Sequence, residues 1–305
     1  MQTSTYDVVI VGGGAAGLSA ALVLGRCRRS VLLYDVGQPR NRASDAIHCL
    51  LGHEGTAPSD LLQKSRREIQ RYDTVTIRSD FITAITRTGN VFEIKTEGGI
   101  ATRARRVLLT TGLTDDVPQL KGIEQLYGRS VHHCPYCDGF EHRDQPLAVY
   151  GVGDKGAGLA LMMKQWSDDV ILLTDGPTRI SVDMEERLRQ HGISVYSEKI
   201  EVLESADDGA LQTIRLQDGT ALDRTAMFFT TGCRQTSDLS TSLGCVRDEK
   251  GGIVTDPVTE ESSVRGIYVA GDASRDVLLV AVAIGEGAKA AVAINRALLQ
   301  EDGLS

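Results

Sequence analysis

The fold of this chain is decided by residues 7–17, which read DVVIVGGGAAG. Val8–Val11 is a continuous β-branched run, which is typical of a buried parallel strand. Gly12, Gly14 and Gly17 then allow a tight turn, let the backbone approach a pyrophosphate, and let the following helix pack closely on the strand. Asp35 ends the next apolar run, eighteen residues after Gly17, where an acid would bond a ribose hydroxyl. The spacing favours a dinucleotide-binding unit over an ordinary strand–turn–helix connection.

A second copy of this pattern begins 139 residues later. The apolar run Pro146–Tyr150 leads into Gly151–Gly156, GVGDKG, and then into a helix rich in Ala, Leu and Met. Asp175 ends the following strand, nineteen residues after Gly156. An acid there would bond a ribose 2′-hydroxyl and repel a 2′-phosphate, so it favours NADH over NADPH. A helix N-cap before Gly176 is an equally good interpretation of Asp175.

Between the two copies lies a Cys-x-x-Cys motif within residues 132–142, HHCPYCDGFEH. Cys134 and Cys137 can cycle between dithiol and disulfide, and Asp138 can move the accompanying proton. His48 is a further candidate for a proton relay, although a lone histidine can equally be structural. Two other interpretations remain open at this stage. One is a scaffold that binds nucleotides without redox chemistry, and the other is a zinc site made by the two thiolates with His132, His133 and His142.

Composition narrows the class of protein. A chain of 305 residues is long enough for two domains of ordinary size. Its net charge of −8 argues against nucleic acid or an anionic membrane surface as the main partner. No apolar run reaches the roughly 18 residues that a membrane span needs, and six cysteines are too few for a secreted disulfide framework. We therefore expect a cytoplasmic protein in which a close cysteine pair is redox-active or metal-binding.

The remaining segments predict how the two units share the chain. A buried strand closes at Thr111-Gly112, and the polar residues after it mark a domain boundary. Near residue 267 a strand ends in Gly271-Asp272 before a final helix that begins near Val280. The fold class predicted is α/β, with two Rossmann-like, three-layer ββα dinucleotide-binding domains, the second inserted into the first. Residues 1–115 and 244–305 would form the first domain and residues 116–243 the second.

Taken in order along nearly the whole chain, these motifs resemble the low-molecular-weight thioredoxin reductases and their flavoprotein relatives. The resemblance implies FAD in the first domain, a redox-active disulfide on the inserted domain, and a homodimer. It implies that Cys137 is the thiol next to the flavin, Cys134 the interchange thiol, and Asp138 the acid/base. The FAD contacts expected from the motifs are Gly12, Gly14, Ala15, Ala16, Gly17, Asp35, Asn41, Arg42, Thr111, Gly112, Gly271, Asp272 and Val280.

Two departures from that family matter for the electron donor. The arginines with which its reductases grip the 2′-phosphate of NADPH are replaced by Leu173–Pro177, LTDGP, and the Arg-Gln-Ala at the start of the last helix is replaced by Leu278–Val280. Both changes resemble the branch of gliotoxin-type and holomycin-type dithiol oxidases and NADPH-independent relatives. We expect an FAD-dependent oxidoreductase without the usual NADPH site. It would either oxidise a dithiol with oxygen or another acceptor, or take electrons from a donor other than NADPH.

The alternative is an NAD(P)H-dependent reductase of thioredoxin or of another disulfide. NADH stays possible as a cofactor because of Asp175. The expected partner of Cys134 is a small dithiol or disulfide, or a thioredoxin-like protein. No metal, nucleic acid or membrane partner is expected.

Overall fold

The structure is a computed structural model that describes residues 5–274 and 277–304. The chain divides into two compact units. The first comprises Met1–Arg42, Cys49–Thr114 and Cys233–Ser305, and the second comprises Ala43–His48 and Asp115–Gly232. Each unit is built on its own parallel sheet, as two dinucleotide-binding patterns predict.

The N-terminal third of the chain builds most of the first sheet. Its elements are β1 (Thr5–Val11), α1 (Ala15–Arg26), β2 (Val31–Tyr34), α2 (Pro58–Ile69), β3 (Val75–Arg78), β4 (Ile82–Thr88), β5 (Val91–Thr96), β6 (Ala101–Leu109) and β7 (Leu113–Asp115). The strand order is β3-β2-β1-β6-β5-β4. β1 to β3 and β6 run parallel, whereas β4 and β5 add an antiparallel extension. All four residues of β2 are buried, as expected for a strand that is covered on both faces.

The second unit repeats this plan with a shorter sheet. Its elements are α3 (Ile123–Leu126), β8 (Val131–His132), α4 (Pro135–Asp138), β9 (Leu147–Tyr150), α5 (Gly153–Met163), β10 (Val170–Leu173), α6 (Val182–Gln190), β11 (Ser194–Tyr196), β12 (Ile200–Ser205), β13 (Leu211–Leu216), β14 (Ala221–Asp223) and β15 (Ala226–Phe229). The parallel sheet has the order β11-β10-β9-β15-β8, and β12 to β14 form a separate antiparallel sheet. Apolar clusters on both sides of the parallel sheet form the core of this unit.

The chain then returns to the first unit. It forms β16 (Cys233–Gln235), α7 (Leu239–Ser242), β17 (Ile267–Val269), a 3₁₀ turn at Asp272–Ser274 and the long helix α8 (Val280–Glu301). β17 pairs with β6 and becomes the seventh strand of the first sheet. α8 packs on α1 through small residues, since a Cβ at Gly287 would overlap the Ala16 carbonyl. The predicted fold class, with one Rossmann-like unit inserted into another, is confirmed.

The limits of the units differ from the predicted 1–115, 116–243 and 244–305 at Asp115, which belongs to the second unit, and in two longer segments. Residues 43–48 belong to the second unit, because Gly128 (φ +85°) lies so close to the Ala43 carbonyl that no Cβ would fit. Residues 233–243 belong to the first unit, because β16 pairs with β7 and Leu239 is buried in the first unit's core. The pattern of apolar runs does not reveal which unit a connecting segment packs on.

Among the residues that the structure describes, no helix combines the length and the apolar character required to cross a membrane.

Candidate functional site

The first glycine turn lies between β1 and α1 and is shaped by close backbone approaches. Gly12 has φ +109°, and a Cβ at Gly17 would overlap the Gly12 carbonyl. The Thr110 hydroxyl at the end of β6 donates to the carbonyl of Gly12 at 2.8 Å and fixes the turn from the neighbouring strand. The sequence analysis singled out Thr111 and Gly112 but missed Thr110, whose hydroxyl is the group that contacts the turn.

The N-terminus of α1 is suited to an anion. No side chain caps this helix end, and its first turn carries no acidic residue. A Cβ built at Gly14 would meet no atom within 4 Å. Packing within the protein therefore does not require glycine at this position. Backbone N–H groups at such a helix end attract phosphate oxygens. The predicted residues Gly14, Ala15 and Ala16 all lie at this end.

Asp35 lies at the end of β2, beside the glycine turn. A Cβ at Gly13 would come within 2.5 Å of the Asp35 carboxyl carbon, which explains the extra glycine in the motif. The carboxylate forms an ion pair with Arg66 of α2 and accepts the Gly37 N–H at 3.1 Å. Arg66 was not predicted, because a charged helix face gives no sign of which residue turns towards the sheet.

The C-terminal segment supplies the other side of this site. Gly271 (φ +77°) has its Cα so close to α1 that a Cβ would lie 3.0 Å from that of Ala16. Its N–H donates to the buried carboxylate of Glu286 at 2.6 Å. Asp272 is paired with Arg40 at 2.8 Å. The contacts of Glu286 and Arg40 were not predicted, because each residue bonds a partner more than ten positions away in the chain.

The remaining predicted cofactor residues lie in connecting segments of the same unit. Asn41 and Arg42 are in a turn after β2, in which the Arg42 N–H bonds the Pro39 carbonyl at 3.2 Å. Thr111 and Gly112 follow β6 directly. Val280 is the first residue of α8, whose N-terminus has no side-chain cap. The direct contacts of these residues with a cofactor stay predictions.

The hydrogen-bonding groups of the first unit fit FAD. An uncapped helix N-terminus without an acid faces the open space at Gly14 and suits a pyrophosphate, while Asp35 suits a ribose. Asp272, after the strand β17, suits a polar chain of hydroxyl groups. These three features are the ones that a flavin dinucleotide requires from a Rossmann-like unit.

The second glycine turn differs from the first in its backbone as well as in its surroundings, because Gly153 rather than Gly151 has a positive φ (+56°) and α5 begins at that residue. The N–H of Gly153, at the start of α5, donates to the Thr178 hydroxyl at 3.0 Å. Asp154, in the first turn of α5, accepts the Ser181 N–H at 2.8 Å. A Cβ at Gly153 would lie 3.3 Å from the Arg179 carbonyl. The segment after β10 therefore folds back over the helix end, and Asp154 of α5 itself places an acid where a phosphate would need positive charge.

Asp175 has a role that neither interpretation of the sequence anticipated. It adopts φ +52°, and its two carboxylate oxygens accept the Ile200 N–H at 2.7 Å and the Tyr150 hydroxyl at 3.2 Å. The N-cap interpretation is wrong, because α6 begins only at Val182 with Ser181 as its N-cap. Burial, together with the negative charge of Asp175, raises the pKa of Tyr150 to about 12. Asp175 thus joins β9 to β12 within the second unit.

Cys134 and Cys137 form a disulfide around a single turn of helix, with their Cα atoms 5.3 Å apart. Pro135 occupies the first helical position, where its lack of an N–H costs no hydrogen bond. The Cys137 N–H points at the Cys134 sulfur at 3.2 Å. Both cysteines are half-buried, whereas Tyr136 and Phe140 beside them are largely exposed. The pair is accessible to a reacting thiol from solvent.

Asp138 is connected to two buried or half-buried histidines. Its Oδ1 lies 3.3 Å from Nδ1 of His132, and Nε2 of His132 lies 3.0 Å from Nε2 of His142. Both rings pack against the buried Phe228 of β15. Burial and the neighbouring His132 lower the pKa of His142 to about 4. The structure therefore brings together Cys134, Cys137 and Asp138 as predicted, and adds an unpredicted histidine pair.

The other two histidines that were singled out form separate pairs in the second unit. Nδ1 of His48 lies 3.6 Å from Oε1 of Glu141. Nε2 of His133 lies 3.8 Å from the buried carboxylate of Asp115. In the described ranges 5–274 and 277–304, no group of three or more His, Cys, Asp or Glu side chains is arranged to hold a metal ion. The zinc interpretation of this segment therefore has no support in the geometry.

Comparison with known proteins agrees with this architecture. The family model for pyridine nucleotide-disulphide oxidoreductases matches residues 6–287. A probable thioredoxin reductase of Arthroderma benhamiae is 30% identical over 327 residues, covering 97% of this chain and 81% of that protein. Thioredoxin reductase sirT of Leptosphaeria maculans is 28% identical, with coverage of 98% and 96%.

Solved structures show the same similarity. The crystal structure of HlmI matches with 36% identity and a TM-score of 0.93, covering 98% of this chain and 94% of the other. An oxidoreductase from Agrobacterium tumefaciens matches with 33% identity and a TM-score of 0.89, covering 97% and 99%.

Proposed function

Because the chain belongs to the pyridine nucleotide-disulphide oxidoreductase family, we propose that it oxidises dithiols to disulfides through FAD and works without NADPH. The coarser part of this statement follows from the family: the protein is a thioredoxin reductase-like flavin oxidoreductase that acts on sulfur groups. The finer part, dithiol oxidation without NADPH, rests on one observation. The second glycine turn is covered by its own chain.

Two features of that turn oppose a bound nicotinamide dinucleotide. The Gly153 N–H, which a phosphate would need, is bonded to Thr178. Asp154 places a negative charge in the first turn of α5, where an anion would be repelled. NADPH is disfavoured most, because no arginine stands in residues 173–177 to pair with a 2′-phosphate.

The chemistry of the disulfide suits dithiol oxidation. A substrate thiolate attacks Cys134 Sγ, a new S–S bond forms, the Cys134–Cys137 bond breaks, and Cys137 leaves as a thiolate. The second substrate thiol, once deprotonated, then attacks the substrate sulfur of the mixed disulfide, so the substrate leaves as a disulfide and both cysteines are reduced. Asp138, next to Cys137 in the chain, is the predicted acid/base for these proton transfers. His48 beside Glu141 stays a predicted relay in the same unit.

FAD, held by the first unit, supplies the two-electron acceptor that returns the cysteines to the disulfide. With oxygen as the final acceptor, the overall reaction converts one dithiol and one O₂ to one disulfide and one H₂O₂. We further propose a cytoplasmic homodimer whose substrate is a small dithiol or a thioredoxin-like protein. The half-buried cysteines flanked by exposed Tyr136 and Phe140 suit either substrate.

The second candidate function is NAD(P)H-dependent reduction of thioredoxin or another disulfide. The names of the relatives favour it, since most of the similar curated proteins are called thioredoxin reductases. It requires a nucleotide to displace Thr178 and to tolerate Asp154. Both candidates use the same cysteines and flavin and differ only in the electron donor.

The proposed reaction is tested by oxygen uptake. The FAD-loaded full-length protein is mixed with dithiothreitol as the only reductant, and oxygen consumption and peroxide are followed. We expect one peroxide per dithiol oxidised, and loss of at least about 100-fold in rate for Cys134→Ser and for Cys137→Ser, since each variant removes a reacting sulfur. Cys245→Ser, a buried cysteine of the first unit, is the control. Oxygen uptake that persists in both active-cysteine variants would contradict the proposal.

A further inference from the structure

We propose that His132 and His142 form, together with Asp138, a proton relay between the Cys134–Cys137 disulfide and solvent. The inference rests on the proposed function, because it concerns the protons that accompany opening and closing of that disulfide. His132 and His142 act through Asp138 and are therefore positioning residues rather than residues that touch the reacting sulfurs.

Three side chains lie in a row, beginning at the residue that follows Cys137 in the chain. Asp138 Oδ1 and His132 Nδ1 are 3.3 Å apart, and the two Nε2 atoms of His132 and His142 are 3.0 Å apart. His132 is almost completely buried, whereas His142 is half-buried and so reaches towards solvent. The path therefore leads from the residue beside Cys137 through the interior to the surface.

The neighbours of His132 define its proton positions. Nδ1 faces the carboxylate of Asp138, and Nε2 lies 3.0 Å from the carbonyl of Arg129 as well as near His142. A ring with its proton on Nδ1 can donate to Asp138, and a ring with its proton on Nε2 can donate to the Arg129 carbonyl. A proton that enters the ring at one nitrogen can therefore leave from the other.

His142 completes the relay because it stays neutral. Burial and the charge of His132 lower the pKa of His142 to about 4, so at neutral pH its ring carries one proton, and its Nε2 accepts a hydrogen bond from His132 in one tautomer and donates one to it in the other. The groups that face the two rings are Asp138, the Arg129 carbonyl and the uncharged Phe228. Exposed Glu141 and Arg143 flank His142 in the chain.

The relay supplies the proton that the Cys137 thiolate takes up in the first step of the reaction. When a substrate thiolate forms a bond to Cys134 Sγ, the electron pair of the broken S–S bond goes to Cys137, which becomes a thiolate. Asp138 passes the Nδ1 proton of His132 to that thiolate, while His142 gives its Nε2 proton to Nε2 of His132 and takes a proton from solvent on its other nitrogen. When the disulfide closes, the proton moves out along the same path and each ring returns to its first tautomer.

The test measures disulfide opening itself, on the full-length FAD-loaded protein under anaerobic conditions. The disulfide is reduced by dithiothreitol between pH 6 and 9, samples are quenched with acid, and free Cys134 and Cys137 are alkylated and counted by mass spectrometry. Two variants separate the roles of His132. His132→Asn keeps an N–H that can donate to Asp138, and His132→Gln keeps one that can reach the Arg129 carbonyl, but neither can pass a proton.

We expect both His132 variants to open the disulfide about 10- to 100-fold more slowly, below the full 10²–10⁴-fold effect of general acid catalysis because water replaces part of the path. The deficit should grow as the pH rises, since free protons become scarce. His142→Gln should show a smaller deficit with the same pH trend. His191→Gln, an exposed histidine at the end of α6, is the matched control.

A deficit that is constant from pH 6 to 9, or a normal rate in His132→Asn, would overturn the relay, because a structural role predicts one of these results. Flavin content and near-UV circular dichroism establish that each variant is folded. The measurement needs neither oxygen nor a nucleotide. Failure of the relay is therefore distinguishable from failure of the proposed dithiol oxidation, which the oxygen uptake experiment tests.

Discussion

The two glycine turns, at Gly12–Gly17 and Gly151–Gly156, share one sequence motif but differ in their backbone and in what covers them. At the first, the helix end carries no acid and a Cβ at Gly14 would enter open space. At the second, Thr178 and Ser181 are bonded to the turn and Asp154 adds a negative charge. A glycine motif therefore establishes a fold, whereas the side chains that approach it later in the chain decide whether a nucleotide can bind.

The acids that follow the second strand of each unit differ in their partners. Asp35 accepts hydrogen bonds from Arg66 and from the Gly37 N–H. Asp175 accepts them from Tyr150 and from the Ile200 N–H and so joins β9 to β12. Both acids have a partner on each oxygen, and what differs is the glycine turn of their unit, which is open in the first and covered in the second.

The largest expected effect on FAD binding comes from filling the open space of the first turn. Gly14→Ala introduces a methyl group that meets no protein atom but enters the space where a pyrophosphate would approach. We expect FAD affinity to fall at least about tenfold, or about 1.4 kcal/mol, with little change in the unfolding of the apoprotein. Flavin absorbance per protein after dialysis measures this.

Gly158→Ala is the matched control, since it makes the same change in α5 of the second unit, where the nearest atom to a new Cβ is 3.8 Å away. It should leave FAD binding unchanged. Equal loss of flavin in both variants would mean that the loss is not specific to the first turn.

Replacing Asp175 with alanine should mainly lower stability, whereas replacing Asp35 with alanine should mainly weaken FAD binding. Asp175→Ala leaves the Ile200 N–H, on a buried residue, without its acceptor, so we expect the free energy of unfolding to fall by about 1–3 kcal/mol with FAD affinity unchanged. Asp35→Ala should weaken FAD binding about tenfold with a smaller loss of stability. Urea unfolding and flavin titration of both variants check this. Loss of FAD binding in Asp175→Ala alone would contradict the comparison.

The smallest effect concerns Tyr150 at high pH. Because its pKa is raised to about 12 in the folded state, against an ordinary value of about 10, the folded state binds the proton more tightly than the unfolded state. The stabilisation is fully present below pH 10 and is lost as the pH rises towards 12. Tyr150→Phe should remove about 1 kcal/mol of this pH dependence once partial exposure of the ring is allowed for. Matching pH profiles of unfolding in the two proteins would be the contrary result.

Much of the fold could be predicted from the sequence, because its signals are local. The run Val8–Val11 and the glycine spacing determine β1, the turn and α1, and the 139-residue repeat identifies the second unit. The unit boundaries could not be predicted as well. Residues 43–48 and 233–243 are assigned by contacts such as Gly128 with Ala43, which join segments that are distant in the chain.

The residues of the candidate site also fall into a group that the sequence predicted and a group that it did not. Cys134, Cys137 and Asp138 were predicted because their chemistry depends on adjacent positions. Arg66, Thr110 and Glu286 were missed because each reaches its partner across the fold. His132 and His142 were weighed only as metal ligands, since their spacing of ten residues does not reveal that a turn brings their rings to 3.0 Å.

The central claim is that electrons reach the flavin from a dithiol and not from NADPH. It is tested most directly by anaerobic titration of the FAD-loaded protein, followed at the flavin absorption band, with NADPH, NADH and dithiothreitol in turn. We predict that dithiothreitol bleaches the flavin at one equivalent per subunit and that neither nucleotide does so. Rapid bleaching by NADPH or by NADH would contradict the account and would establish the nicotinamide-dependent reductase instead.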